Sequence, residues 1–165
     1  MSLTFNNIES IHYNAISKIY EQGIATGNAT FQQNAPTWEV WDELHLKSCR
    51  IIGVLNQEIV GWAALTPISS SCSYSGVAEV SVYVDEKYRG KKIGYFLLEQ
   101  LIRESESNEI WMLQASIFPE NEASIKIHIS LGFRIVGTRE KIGKMNNLWR
   151  DTVLLERRSQ IVELN

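Results

Sequence analysis

Apolar positions recur along the chain with two periods, and each period marks a different kind of element. Ile11, Ala15, Ile16, Ile19 and Tyr20 fall on helical spacing behind Ser10, which predicts a first helix ending near Gly23 and Gly27. Thr37 is placed to cap a second helix that carries Trp38, Trp41 and Leu44 on one face. Residues 50–55 read as a strand, Asn56-Gln57 as a tight turn, and residues 59–65 as the returning arm of a hairpin. Pro67 and the Ser-rich run 69–73 form a loop. The clearest strand is 77–84. Side chains alternate along a strand, so Ala78, Val80, Val82 and Val84 share one face and Glu79, Ser81 and Tyr83 the other. Beyond Arg89-Gly90-Lys91-Lys92-Ile93-Gly94, helical spacing returns with Ile93, Phe96, Leu97, Leu101 and Glu104, widened by Leu98 and Ile102. Residues 110–117 predict another strand. Asn121 caps a helix through Leu131, and Gly132 suits the left-handed position that ends it. Residues 133–138 and 148–155 close the pattern as strands. This mixed order predicts an α/β (α+β) single-sheet domain, not a strict βαβ repeat.

The chain has 165 residues, 44% hydrophobic and 21% charged, which suits one domain over residues 1–165 with a sizeable core. A net charge of -3 counts against a nucleic-acid partner, because no basic excess is available to neutralise phosphates. No apolar run approaches the ~20 residues that span a bilayer. The N-terminus has neither the basic start nor the apolar stretch of a signal peptide. The expectation is a cytoplasmic protein with no membrane partner. Cys49 and Cys72 form no C-x-x-C pair and are expected as free thiols. Cys72, in the Ser-rich loop, has a second reading as a covalent acyl carrier, but no histidine lies nearby in sequence to activate it. His12, His45 and His128 form no cluster with metal-ligand spacing, so no metal is expected.

The chemistry concentrates where strand 77–84 passes through a glycine-bearing loop into a helix. Amides in the first turn of a helix are unpaired and sit at the positive end of its dipole, which suits phosphate. Arg89, Lys91 and Lys92 add positive charge there. The loop has neither the G-x-x-x-x-G-K-S/T pattern of nucleotide hydrolases nor the G-x-G-x-x-G of dinucleotide enzymes.

The run Arg89-Gly90-Lys91-Lys92-Ile93-Gly94 resembles the Q/R-x-x-G-x-G/A loop of the GNAT superfamily of N-acetyltransferases. The likeness extends over nearly the whole chain and is strongest to the phosphinothricin acetyltransferase-like branch. It is carried by Ala29-Thr30-Phe31, Gly61-Trp62-Ala63, residues 80–84, Ile117-Phe118-Pro119-Glu120-Asn121, Gly132-Phe133 and Trp149-Arg150-Asp151. The resemblance implies a mixed, mostly antiparallel sheet flanked by helices, acetyl-CoA as cosubstrate and a small-molecule amine as acceptor. It also implies a homodimer, with Lys141, Lys144 and Trp149 reaching the neighbour's site. Two positions depart from the pattern. Lys92 stands where the family has its middle loop glycine, and Ser71 stands where the branch has an arginine, three residues before Tyr74.

Acetyl transfer requires a neutral amine, and at pH 7 deprotonation costs roughly 1.4 kcal/mol for an α-amine of pKa about 8 and about 4.6 kcal/mol for a lysine. Glu79, a carboxylate in an otherwise apolar strand, is the candidate base. The branch has a glutamate at this position. His128 occupies the position at which many family members have a tyrosine acting as acid toward the CoA thiolate. The resemblance assigns cosubstrate contacts to Val82, Tyr83 and Val84, to Arg89, Gly90, Lys91, Lys92, Ile93, Gly94 and Tyr95, and to Asn121 and Ser124. A backbone N–H of 82–84 is expected to hold the oxyanion. Thr30, Phe31 and Tyr74 match positions that line the acceptor pocket. A peptide or protein N-acetyltransferase, or a non-enzymatic acyl-CoA sensor, remains the alternative.

Overall fold

A computed structural model describes residues 2–163. Seven strands form one sheet: β1 (Thr4–Asn7), β2 (Arg50–Leu55), β3 (Glu58–Pro67), β4 (Val77–Val84), β5 (Met112–Ile117), β6 (Arg134–Met145) and β7 (Leu148–Arg158). Their spatial order is β1-β2-β3-β4-β5-β7-β6. All neighbours are antiparallel except β4 and β5, which run parallel. Four helices flank the sheet: α1 (Tyr13–Ala25), α2 (Trp38–Leu44), α3 (Ile93–Ser107) and α4 (Glu122–Ser130).

Two cores follow from strand alternation. Ala78 and Val80 of β4, with Ala63 and Leu65 of β3, pack under α3, which buries Leu97, Leu98 and Leu101 completely. Each such leucine gains about 1.5–3 kcal/mol over exposure. The opposite face of the sheet meets α1 and α2 through Ile16, Ile19, Trp41, Ile52 and Trp62. Several local predictions are met. Thr37 Oγ1 accepts from Val40 N–H at 3.4 Å and starts α2. Asn56 and Gln57 both adopt positive φ, 52° and 67°, as the two-residue β2–β3 hairpin requires.

The elements differ from the pattern reading at several places, including β5, which begins at Met112 and not at Ile110. A single 3-10 turn over Ser10–His12 precedes α1, which starts only at Tyr13 and leaves Ile11 exposed. The short edge strand β1 was not predicted. The last hairpin is much longer than residues 133–138 and 148–155, because β6 runs to Met145 and β7 to Arg158.

The β4–β5 pair positions the site. Pairing covers Val77↔Met112, Ala78↔Leu113 and Glu79↔Gln114, and no pair is formed beyond Glu79 among the described residues. The strands part there, and the Val80–Val84 half of β4 faces an opening wedge.

Candidate active site

Which backbone groups face the wedge follows from one hydrogen bond. Asp85 N–H donates to Val60 O at 2.9 Å, so Asp85 turns its amide toward β3. Amides alternate along an antiparallel strand, which turns Tyr83 to β3 as well and leaves Val82 and Val84 directed at the wedge. Tyr83, expected among the cosubstrate contacts, is therefore displaced from that role. Its ring lies on the α1 face, stacked on Trp62 (4.8 Å) and edge-on to Tyr20 (4.8 Å). Burial pushes its phenol pKa well up. Gly23 of α1 makes room for it, since a Cβ there would come within 2.7 Å of the Tyr83 ring.

β4 leads into the charged loop and then α3. Gly90 and Lys92 both adopt left-handed conformations, with φ 78° and 64°. This accounts for a glycine at position 92 in the family loop: the backbone there needs positive φ, and lysine accepts it at a conformational cost. Lys92 is the N-cap of α3, and no side chain caps this end. Phe96 N–H to Lys92 O (3.1 Å) is the first intrahelical bond, which leaves the amides of Ile93, Gly94 and Tyr95 directed out of the helix end. A Cβ built on Gly94 would lie 3.5 Å from both Val84 Cγ2 and Ile127 Cδ1, so the α3 terminus, the end of β4 and α4 meet at one place. Wedge-facing amides, three helix-end amides and the side chains of Arg89, Lys91 and Lys92 are a donor set suited to the amide arm and pyrophosphate of a coenzyme A thioester.

α4 begins at Asn121, whose Oδ1 accepts from Ser124 N–H (3.3 Å) and whose Nδ2 donates to Asn28 O (3.3 Å). His128, one turn before the left-handed Gly132, is buried against Phe133. Its Nδ1 lies 2.7 Å from Ser124 O. A carbonyl only accepts, so Nδ1 carries the proton and Nε2 is the acceptor nitrogen. Nε2 is buried with no partner among the described residues. Burial lowers the His128 pKa from its ordinary 6.5, and the bond to Ser124 only partly opposes this. The ring is therefore neutral at pH 7, and the acid role that the resemblance implies requires a protonation that burial disfavours.

Glu79 projects from the last β4 position paired with β5 onto the side of the sheet opposite α3. Gln114 Nε2 (3.3 Å) and Ser116 Oγ (3.2 Å) both donate to its Oε1. It lines a cleft of about 530 Å³ with Phe31, with Thr66, Pro67 and Ile68, with Gln114, Ser116 and Thr152, and with Arg139, Ile142 and Gly143. Phe31 and Glu79 are thus brought together as expected. Thr30 and Tyr74 are not among the lining residues. Thr30 Oγ1 accepts from Gln32 N–H (3.1 Å), and Tyr74 is half-exposed on the Cys72–Tyr74 turn. A more open hollow of about 710 Å³ along α1 contains no β4 or β5 residue.

The far wall of the cleft comes from an irregularity in β6. Arg139 pairs with Thr152, but the next pair is Gly143 with Arg150, so two extra residues bulge from β6. Asp151 closes the bulge, with its Oδ1 accepting from Lys141 N–H at 2.7 Å. Gly143 lets Phe31 lie close, since a Cβ there would meet the ring at 2.5 Å. Arg150 ties the Phe31 loop down. Its guanidinium donates to Gly27 O (2.9 Å) and Asn28 Oδ1 (2.9 Å), pairs with Glu120 (3.3 Å), and lies 4.0 Å over Phe118, which packs edge-on against Phe31. Sequence reasoning named Arg150 only as part of a motif and missed Gln114, Ser116, Arg139 and Thr152. The polar residues at 114 and 116, alternating within a predicted strand, were the available signal.

Both cysteines are free, Cys49 buried and Cys72 exposed. Among the described residues there is no group of His, Cys, Asp and Glu that could hold a metal, and no helix long and apolar enough to cross a membrane.

Comparison with known proteins gives a consistent picture. The acetyltransferase (GNAT) family model matches residues 16–133. YwnH of Bacillus subtilis, provisionally named a phosphinothricin acetyltransferase, is 30% identical over 94% of this chain and 98% of its own. An L-methionine sulfoximine/L-methionine sulfone acetyltransferase of Pseudomonas paraeruginosa is 32% identical, but the match covers 60% of this chain and only 58% of that one. The structure of a GNAT superfamily phosphinothricin acetyltransferase from Sinorhizobium meliloti, solved with acetyl-CoA, superposes with a TM-score of 0.89 at 21% identity. That match covers 100% of this chain and 92% of that one.

Proposed function

Since this chain belongs to the GNAT acetyltransferase family and is an acetyl-CoA-dependent N-acetyltransferase, we propose that its acceptor is a free amino acid or a close analogue, acetylated on its amino group with Glu79 as base. The observation that carries this reading is the position of Glu79. It is the last paired residue before β4 and β5 part, so its carboxylate stands in the acceptor cleft where the cosubstrate wedge begins. Acetyl-CoA supplies the acetyl group. The wedge-facing amides of Val82 and Val84 and the loop from Arg89 to Tyr95 would hold it, with Asn121 and Ser124 shaping the start of the adjoining α4.

Glu79 takes a proton from the acceptor's ammonium, directly or through one water, and leaves a nucleophilic amine. The donors from Gln114 and Ser116 orient the carboxylate for this. The amine nitrogen bonds to the thioester carbonyl carbon, and an amide on the wedge side of β4 donates to the carbonyl oxygen as negative charge develops on it. The C–S bond then breaks, and the departing CoA thiolate takes up the proton that the nitrogen sheds. Ser124 O fixes the His128 tautomer, which leaves Nε2 as an unpaired acceptor beside α4. The cleft of about 530 Å³ holds a molecule of amino-acid size. The methionine sulfoximine/methionine sulfone acetyltransferase among the relatives supports this acceptor class. The continuous seven-stranded sheet supports one domain over the whole chain. Exposed Ile135, Val136, Leu148 and Trp149 on the β6–β7 hairpin support the homodimer expectation.

The test is CoA release from acetyl-CoA across free amino acids, L-methionine sulfoximine, phosphinothricin, polyamines and short peptides, with products identified by mass. Turnover confined to amino-acid-like acceptors is expected. Preference for peptides or polyamines would overturn the reading.

A further inference from the structure

Among the residues lining the acceptor cleft there is one carboxylate, Glu79, and one cation, Arg139. The other lining side chains are neutral. Arg139 is exposed on β6 and has no ion-pair or hydrogen-bond partner among the described residues, whereas Arg134 on the same strand pairs with Glu156 at 3.4 Å. A second observation points to the same spot. Thr152 lies directly opposite Arg139 in the β6–β7 register and also lines the cleft. It is 4% exposed, and its hydroxyl is buried with no hydrogen-bond partner among the described residues. A buried hydroxyl without a partner is unfavourable unless something else satisfies it. Directly opposed residues in an antiparallel pair have Cβ atoms about 4.5–5.5 Å apart, so one ligand group can meet both side chains. That group must accept from a guanidinium and a hydroxyl together, which is the chemistry of a carboxylate. The Ser-rich loop 69–73 contributes no competing cation.

We propose that Arg139, with Thr152, binds the α-carboxylate of the acceptor, and so selects free amino acids over amines, amides and peptide N-termini. The assignment rests on the acceptor class proposed above. It places the amine at Glu79 on one wall of the cleft and the carboxylate at Arg139 on the other, leaving Phe31, Ile68 and Ile142 to meet the side chain. The opposed charges match the two ends of a zwitterion. A peptide N-terminus lacks the carboxylate beside its amine and leaves Arg139 unpaired.

Arg139→Gln and Arg139→Lys are compared with the unaltered protein on L-methionine sulfone and L-methionine amide. kcat and KM are measured for both acceptors, and each is titrated calorimetrically into the CoA-bound protein. Arg139→Gln is expected to raise KM and Kd for the sulfone roughly 10–100-fold, with kcat at saturation within about threefold and the amide unaffected. Arg139→Lys recovers part of the loss. Equal shifts for both acceptors, no shift for either, or a fall in kcat alone would overturn the assignment. If the unaltered protein acetylates amino acids and Arg139→Gln does not change this, only the role of Arg139 fails. If it acetylates peptides and no free amino acid, the proposed function fails as well. With no turnover at all, the calorimetric comparison still decides for or against Arg139.

Discussion

Arg150→Met tests whether the loop over the acceptor cleft is held from β7. The side chain is only 14% exposed, and its two short bonds, to Gly27 O and Asn28 Oδ1, are both 2.9 Å. Hydrogen bonds to a charged group contribute about 1.5–3 kcal/mol each. The lower end applies here, because a loosened loop regains water at both acceptors. The third contact, to Glu120, reaches a carboxylate that is 57% exposed and adds about 0–1 kcal/mol. Methionine keeps most of the packing on Phe118 and forfeits the cation–π attraction, about 0.5–1 kcal/mol. The sum is a loss of about 3.5–5 kcal/mol, or roughly 7–20 °C in Tm for a chain of this size. Thermal and urea denaturation measure it. Because Phe31 rests on Phe118, the acceptor KM is expected to rise by about tenfold with the stability loss, and Arg150→Lys is expected to fall between the two proteins. A Tm change under about 2 °C with an unaltered acceptor KM would refute the clamp.

Lys92→Gly removes a side chain from a left-handed backbone position, φ 64°, so the folded protein is expected to gain about 0.5–1 kcal/mol. It also removes a cation from the phosphate loop, so CoA affinity is expected to fall a few-fold, with a weaker salt dependence; calorimetry at two ionic strengths reads this. The buried His128 sets a pH dependence whose sign follows from its lowered pKa. Above the unfolded value of about 6.5 both states are neutral and stability is complete; as pH falls below it, the unfolded chain takes up a proton that the folded ring resists, and stability declines toward the folded pKa. His128→Asn, which keeps a donor for Ser124 O, is expected to flatten the fall in urea midpoint between about pH 7 and pH 5, although His45, lowered by burial in the same way, retains part of it.

Features set by neighbours in sequence were legible. The Thr37 and Asn121 caps, the Asn56-Gln57 turn, the left-handed Gly132 and the two faces of β4 all follow from local stereochemistry. Features set by pairing between distant segments were not. β1 is a four-residue edge strand that carries no periodic signal and exists because Thr4–Asn7 pair with β2. The extension of β6 to Met145 crosses a run of exposed side chains that no hydrophobic alternation marks, and the β7 ladder holds it. The site divides in the same way. Glu79 stands out as a carboxylate in an apolar strand, but Gln114 and Ser116 reach it only through the β4–β5 register. Arg139 and Thr152 join the cleft through the β6 bulge. Alternation placed the Tyr83 ring on the correct face but did not reveal that its amide pairs with β3.

The base is tested most directly by kcat/KM of Glu79→Gln for a turned-over amino-acid acceptor, with acetyl-CoA affinity measured in parallel. Glutamine preserves the size of the side chain and an acceptor oxygen for Gln114 and Ser116, and it cannot take a proton. A fall of about 10²–10⁴-fold in kcat/KM with unchanged acetyl-CoA binding is expected. Activity within threefold of the unaltered protein would contradict the assignment of Glu79 as the base.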